Sequence, residues 1–139
     1  MKIIIALAIF LVGCSSTNET RLDRESLRYF ASHDWTQWTP MVKASPMYPS
    51  SLLTRGIEGC VNIEFIVNEY GRPTKPIVTN SIPAGAFDST SLEALRKFKY
   101  EPTLNNQTKT PILTSNVFTF SHPDSEPKKT RSYWEARCK

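Results

Sequence analysis

The sequence has few of the side chains from which catalytic and metal sites are built. Its 139 residues include two histidines and three cysteines. His33 and His122 lie far apart in the chain, and neither has a Cys, Asp or Glu at the spacing of a metal ligand or a catalytic partner. The carboxylates Asp88, Glu93 and Glu101 fit helix capping and solvation better than paired-carboxylate catalysis. We therefore expect no enzymatic activity, no cofactor and no metal.

The sequence also lacks a long hydrophobic run and a strong charge of either sign. Its longest apolar run, Ile3 to Val12, has ten residues, about half of the roughly 20 that a membrane-spanning helix needs. The formal net charge is +4, which is too mild and too dispersed to indicate nucleic-acid binding. A chain of this length with 40% hydrophobic residues can build one small core.

The apolar run is typical of a secretory leader, and it ends close to a cysteine. Lys2 precedes it, and Leu11-Val12-Gly13-Cys14 closes it. This ending resembles the bacterial lipobox, which implies that residues 1–13 are a signal peptide and that Cys14 is lipidated. Acyl chains contribute about 0.8 kcal/mol per buried methylene, so they would anchor the protein to a membrane. In similar lipoproteins Ser15 favours the outer membrane. An ordinary leader that happens to contain a cysteine is the alternative.

Residues 14–45 are predicted to be a lipidated tether in front of the folded domain. The spacing of apolar residues from Arg21 to Asp34 predicts a short amphipathic helix within it. The next segment contains Trp35, Trp38 and Met41, and its aromatic side chains are predicted to pack against the domain rather than to bind a ligand.

Residues 46–121 predict a small α+β domain in the order helix, strand, strand, helix, strand. Ser50 to Arg55 is predicted as a short helix, because Gly56 can take the left-handed conformation that ends it. The first strand carries alternating apolar side chains at Val61, Ile63, Phe65 and Val67. A turn at Gly71 leads to the second strand, Pro73 to Ser81.

A second helix and a third strand complete the predicted domain. Phe87, Leu92, Leu95 and Phe98 recur on one helical face. Asp88 and Thr90 are its candidate N-caps, and Thr90 with Glu93 predicts a capping box. The third strand, Ile112 to Ser121, resumes the alternation of apolar and polar residues.

This order predicts a three-stranded antiparallel sheet with two helices on one face. A helix that follows a hairpin returns the third strand beside the first, which is then central. Pro73 and Pro76 confine the second strand to one edge, because proline donates no hydrogen bond to a sheet. The third strand is left at the other edge with open backbone groups. Open edges also allow a strand-exchanged homodimer.

An ordered set of short motifs runs through this region. The set comprises Tyr48-Pro49, Gly56-Ile57-Glu58-Gly59, Gly71 and Phe98-Lys99-Tyr100-Glu101-Pro102. Together these motifs resemble the TonB C-terminal domain family. The resemblance implies a periplasmic module that contacts outer-membrane TonB-dependent transporters and takes part in transmembrane transport. An extended partner segment would add to the edge of the third strand.

The resemblance also implies which residues touch the partner. They are Pro46, Tyr48 and Pro49 before the first helix, and Leu113, Thr114, Ser115, Asn116, Val117, Phe118, Thr119 and Phe120 along the third strand. Ser45 stands where transporter-coupling members often have glutamine. Those members also carry an inner-membrane helix and a long proline-rich spacer, so we do not expect this chain to harvest the proton-motive force by itself. A structural or cell-wall-binding envelope lipoprotein with no transport role is the alternative function.

Two cysteines remain if Cys14 carries the lipid. An even pair in an oxidising compartment favours a disulfide between Cys60 and Cys138. That bridge would fold the basic tail, residues 122–139, across the sheet face away from the helices, with Tyr133 and Trp134 covering it. Two unpaired thiols are the alternative.

The basic side chains of the tail are expected to be solvated, and contact with anionic lipid or cell wall is the second interpretation.

Overall fold

A three-stranded sheet lies at the centre of the structure, a computed structural model that describes residues 37–139. The strands are β1 (Trp38–Val42), β2 (Gly59–Val67), β3 (Pro73–Ile82), β4 (Lys99–Pro102) and β5 (Ile112–Phe120). The helices are α1 (Ser50–Thr54), α2 (Asp88–Leu95) and α3 (Arg131–Cys138). In this part of the chain no helix is long and apolar enough to cross a membrane. The lipidation site Cys14, the predicted helix from Arg21 to Asp34, and Trp35 lie outside the described residues.

The central strand is β2, as the alternation of its apolar residues predicted. The sheet order is β3-β2-β5, and both neighbours run antiparallel to β2. Every residue of β2 except Glu64 is buried, so both faces of the strand are covered. The α+β class, the central position of the first predicted strand and the edge position of the proline-bearing strand are therefore confirmed.

One face of the sheet carries the main hydrophobic core. Val61, Ile63 and Phe65 from β2 meet Phe118 and Phe120 from β5. The side chains of α2 and the partly buried Leu52 of α1 pack on the same face, so the two predicted helices do share it. A Cβ atom at Gly59 would lie 2.0 Å from the carbonyl oxygen of Ile82. Only glycine therefore allows β2 and β3 to approach this closely at that end.

The predicted caps of α2 are wrong. The N-cap residue is Phe87, and no side chain caps the helix. The Thr90 hydroxyl instead donates to the carbonyl oxygen of Met47, and the Asp88 carboxylate accepts a hydrogen bond from the Ser81 hydroxyl. Local spacing suggested a capping box, but distant partners bind these side chains, because α2 packs beside the segment that precedes α1.

A second, two-stranded sheet was not predicted. Strands β1 and β4 pair antiparallel, from Trp38 opposite Pro102 to Val42 opposite Lys99. Trp38 is buried as predicted, and its indole N–H donates to the carbonyl oxygen of Thr110 at 2.9 Å. Met41, in the same strand, is 55% exposed. Alternation is hard to recognise in strands of five and four residues.

Helix α3 covers part of the opposite face of the sheet. A disulfide joins Cys60 of β2 to Cys138 at the end of α3. Trp134 packs against this disulfide with Ile82 and Val117, which confirms that the tail crosses the face away from the other helices. Tyr133 contacts the Trp134 ring edge to face, with the centroids 5.1 Å apart, and is itself 39% exposed. The tail is thus a folded part of the structure, and its helix ends at the bridge.

Candidate functional site

The outer edge of β5 is the first element of the candidate site. Within residues 37–139, β5 pairs with β2 over its full length and with no second strand. Its outer N–H and C=O groups are thus not part of any ladder formed by this part of the chain. An edge of nine residues can accept another extended segment.

A groove of about 290 Å³ runs beside this edge. One wall is the segment that links β1 to α1, and the other wall is the second half of β5 with the start of α3. The lining residues are Lys43, Ala44, Ser45, Pro46, Tyr48, Phe98, Asn116, Val117, Phe118, Thr119, Phe120, Ser121 and Arg131. The groove therefore combines backbone, aromatic side chains and charge in one place.

Tyr48 holds the first wall against the core. Its ring meets Phe87 and Phe120 edge to face, with centroid distances of 5.5 and 5.6 Å. Its hydroxyl donates to the carbonyl oxygen of Ile57 at 2.7 Å. Burial, and secondly the negative charge of Glu58, raise the pKa of the Tyr48 hydroxyl. The ring and the hydroxyl of Tyr48 thus both bind groups within the domain. The main role of Tyr48 is therefore to position this wall of the groove, not to contact a partner.

Two cations lie at the groove, and none of the residues that line it is acidic. Lys43 Nζ donates to the Asn116 side-chain oxygen at 3.1 Å and lies 5.8 Å from the centroid of the Phe98 ring. Burial, and secondly the positive charge of Arg131, lower the pKa of Lys43. The Nε atom of Arg131 donates to Glu135 on its own helix at 2.7 Å.

The structure brings together most, but not all, of the residues that the sequence analysis proposed. Pro46, Tyr48, Asn116, Val117, Phe118, Thr119 and Phe120 line the groove. Pro49 lies outside it, where its carbonyl oxygen accepts the backbone N–H groups of Leu52 and Leu53. Leu113, Thr114 and Ser115 belong to the other half of β5. Lys43 and Arg131 were missed, because no sequence spacing links two residues that only the fold brings together.

Comparison with known proteins identifies the family. The family model of the Gram-negative bacterial TonB protein C-terminal matches residues 44–121, which is more than half of the chain. The chain belongs to the TonB C-terminal family. It is 32% identical over 59 residues to protein TonB of Yersinia enterocolitica and 35% identical over 63 residues to protein TonB of Pseudomonas aeruginosa. These matches cover 42% and 45% of this chain but only 23% and 18% of those two proteins.

Solved TonB-family structures share the fold. The solution structure of the Pseudomonas aeruginosa TonB C-terminal domain matches with a TM-score of 0.57 at 27% identity, covering 68% of this chain and 94% of that one. The TonB2 protein of Vibrio anguillarum matches with a TM-score of 0.50 at 21% identity, covering 89% of this chain and 99% of that one. The similarity to the second structure is in the fold alone.

The TonB-family match ends at residue 121, and α3 lies beyond it. Glu58 ties this extra segment to the domain. Its carboxylate accepts a hydrogen bond from the backbone N–H of His122 at 2.9 Å and one from Lys129 Nζ at 2.6 Å. Asn80 of β3 adds a bond of 3.2 Å to the carbonyl oxygen of Arg137. A motif that the sequence analysis used only to recognise the family thus also anchors the tail.

A second cavity of about 400 Å³ lies at the opposite end of β2. Trp38, Tyr70, Gly71 and Tyr100 contribute to its walls. Gly71 has a φ of +71°, and a Cβ atom there would lie 2.0 Å from the carbonyl oxygen of Tyr100. Burial raises the pKa of the Tyr100 hydroxyl to about 12.

No group of three or more His, Cys, Asp or Glu residues in the described part of the chain is placed to bind a metal.

Proposed function

We propose that this TonB-family chain is a periplasmic protein-binding module of TonB-dependent transmembrane transport. It binds an extended segment of an outer-membrane TonB-dependent transporter along the outer edge of β5, and it is tied to the outer membrane through a lipid on Cys14. The observation that carries this proposal is the outer edge of β5, which pairs with no second strand of residues 37–139 and lies beside a groove.

Backbone hydrogen bonding would supply most of the affinity. A segment that extends the sheet satisfies the outer N–H and C=O groups of β5, and its alternate side chains point into the groove or away from it. The second edge strand is a poorer template. Pro73 and Pro76 have no backbone N–H, so β3 lacks two hydrogen-bond donors. The pairing of β3 with β2 also shifts register twice. We therefore assign partner binding to β5.

Site-specific photocrosslinking in living cells tests this assignment. A photoreactive amino acid replaces Ser45 or Ser121, which are exposed and lie on opposite walls of the groove. The matched control carries it at Ile77, an exposed residue of β3. We expect the two groove positions, but not Ile77, to crosslink to a TonB-dependent transporter, which mass spectrometry identifies.

Three other results would contradict the proposal. Capture of peptidoglycan alone would favour the structural role in the envelope. Crosslinks between two copies of this chain would show that a strand-exchanged homodimer occupies the edge. Equal crosslinking from Ile77 and the groove positions would show that β5 is not the binding element.

A further inference from the structure

The groove beside β5 is positively charged, and its charge comes from two separate parts of the chain. Lys43 precedes the TonB-family match at residues 44–121, and Arg131 follows it. Both side chains line the same groove, and after burial the positive charge of Arg131 is the second cause of the lowered pKa of Lys43. Two neighbouring like charges are unfavourable until an anion lies between them. A carboxylate between the two cations would remove this unfavourable interaction.

The fold restrains the side chain of Lys43 and the backbone position of Arg131. Lys43 lies between its hydrogen bond to Asn116 and the face of Phe98. Arg131 is the first residue of α3, and Thr130, the residue before it, caps that helix by accepting the backbone N–H of Tyr133 at 3.2 Å. The disulfide at Cys138 fixes the other end of the helix. The ion pair with Glu135 lies within α3 and offsets part of the Arg131 charge, but Glu135 is not among the residues that line the groove.

We infer that the groove selects partner segments that carry an acidic side chain, and that α3 supplies half of this selectivity. The inference rests on the proposed function, because it assumes an extended peptide on the edge of β5. The peptide backbone pairs with β5, while an Asp or Glu carboxylate of the peptide lies between Lys43 and Arg131. Charge complementarity at a partly exposed rim contributes more to selectivity than to total affinity. Binding of the backbone and selection by charge are thus separate properties of one groove.

Selection from a random peptide library tests the inference and requires no choice of partner sequence. The library displays nine-residue peptides, the length of β5, and the bait is the full chain with its disulfide intact. We expect the wild-type protein to enrich peptides that contain Asp or Glu. The charge-reversed double variant Lys43→Glu/Arg131→Glu should enrich peptides that contain Lys or Arg. The matched control is Arg137→Gln, which removes a cation from the same helix but outside the groove, and it should select as the wild type does.

Affinity measurements with one selected peptide then give the size of the effect. We expect replacement of the acidic residue of the peptide by its amide to weaken binding to the wild-type protein about threefold to tenfold, the range for one or two partly exposed charge pairs. The variant Lys43→Gln/Arg131→Gln should discriminate less than about twofold. Added salt should weaken wild-type binding of the acidic peptide more than that of the amide peptide. This last comparison needs no variant, so misfolding of a variant cannot explain it.

The outcomes separate this inference from the function on which it rests. If the wild-type protein enriches peptides without any preference for acidic residues, and charge reversal leaves the selection unchanged, the inference is wrong while binding along β5 stands. If the wild-type protein enriches no peptide at all, binding along β5 is wrong, and the inference falls with it. A loss of acid preference in Arg137→Gln as large as in the groove variant would mean that net charge, not the groove, makes the selection.

Discussion

At the scale of single residues, Glu58 connects the TonB-family domain to its C-terminal extension. Its side chain is only 6% exposed, yet it accepts bonds from a backbone N–H and from Lys129. Burial alone would raise the pKa of this carboxyl group. The hydrogen bonds from Lys129, His122 and Ser125 outweigh that effect and lower the pKa below its usual value of 4.5. The ionised form of Glu58 therefore favours the folded state.

The variant Glu58→Gln should show this contribution. A carboxyl group whose pKa is lower in the folded state stabilises the protein above its unfolded pKa, and this stabilisation is lost as the pH falls through the folded pKa. We expect the variant to lower the free energy of unfolding by about 1–3 kcal/mol at pH 7, since it removes charge-assisted bonds. The difference from the wild type should disappear at acidic pH. Denaturant titrations across the pH range measure both effects.

Glu135→Gln is the matched control for Glu58→Gln. Its pKa is also lowered, chiefly by the hydrogen bond from Arg131, but its ion pair joins two residues of one surface helix. Exposed pairs of this kind contribute little to stability. A loss in Glu135→Gln as large as in Glu58→Gln would contradict the role that we assign to Glu58.

At the scale of elements, α3 is held against the sheet by one covalent bond and a small cluster of side chains. Trp134 is 5% exposed, and Cys60 and Cys138 are fully buried. The disulfide closes a loop between positions 78 residues apart, and chain-entropy arguments assign about 4 kcal/mol to a loop of that length. Covalent closure therefore contributes substantially to keeping so short a helix in place.

Removal of both cysteines tests the contribution of the disulfide. We expect Cys60→Ala/Cys138→Ala to lower the free energy of unfolding by about 2–4 kcal/mol. Reductant should lower the stability of the wild-type protein by a similar amount and leave the variant unchanged. Equal stability of oxidised and reduced wild-type protein would show that the bridge does not stabilise the fold.

The two edge strands should respond differently to a bound peptide. Each outer N–H of β5 that forms a bond to the peptide becomes protected from exchange with solvent. With peptide at ten times its dissociation constant, we expect roughly tenfold slower exchange at alternate amides of β5. Amides of β3 serve as the control and should keep their rates. Hydrogen exchange followed by NMR measures both strands in one sample, and slower exchange in β3 alone would reverse our assignment.

At the scale of the whole molecule, we propose that a lipid on Cys14 determines where the groove operates. The strand β1 begins at Trp38, so only a short stretch of chain would separate a lipid on Cys14 from the described fold. A groove held by such a tether would meet its partners close to the membrane surface. The variant Cys14→Ala should move the protein from the membrane fraction to the soluble fraction of the periplasm. Unchanged recovery in the membrane fraction would show that another feature anchors the chain.

Much of the fold could be predicted from local patterns. The alternation in β2 placed that strand at the centre, and Pro73 and Pro76 placed β3 at an edge. Gly56 and Gly71 both have the positive φ that the turns require. By contrast, β1 and β4 are too short for their pairing to be recognised. The caps of α2 were wrong because Thr90 and Asp88 bind partners outside their own helix.

The sequence by itself determined the class of fold, the family and the order of the central sheet, and it favoured a bridge between Cys60 and Cys138 that the structure then showed. It could do so because alternation and turn residues are specified locally, whereas counting cysteines left two unpaired thiols as an alternative to the bridge. Only the tertiary structure decided which half of β5 faces a groove, that Glu58 holds the tail, and that Lys43 and Arg131 share one site. These facts depend on how segments distant in sequence pack together, and no local pattern records that packing.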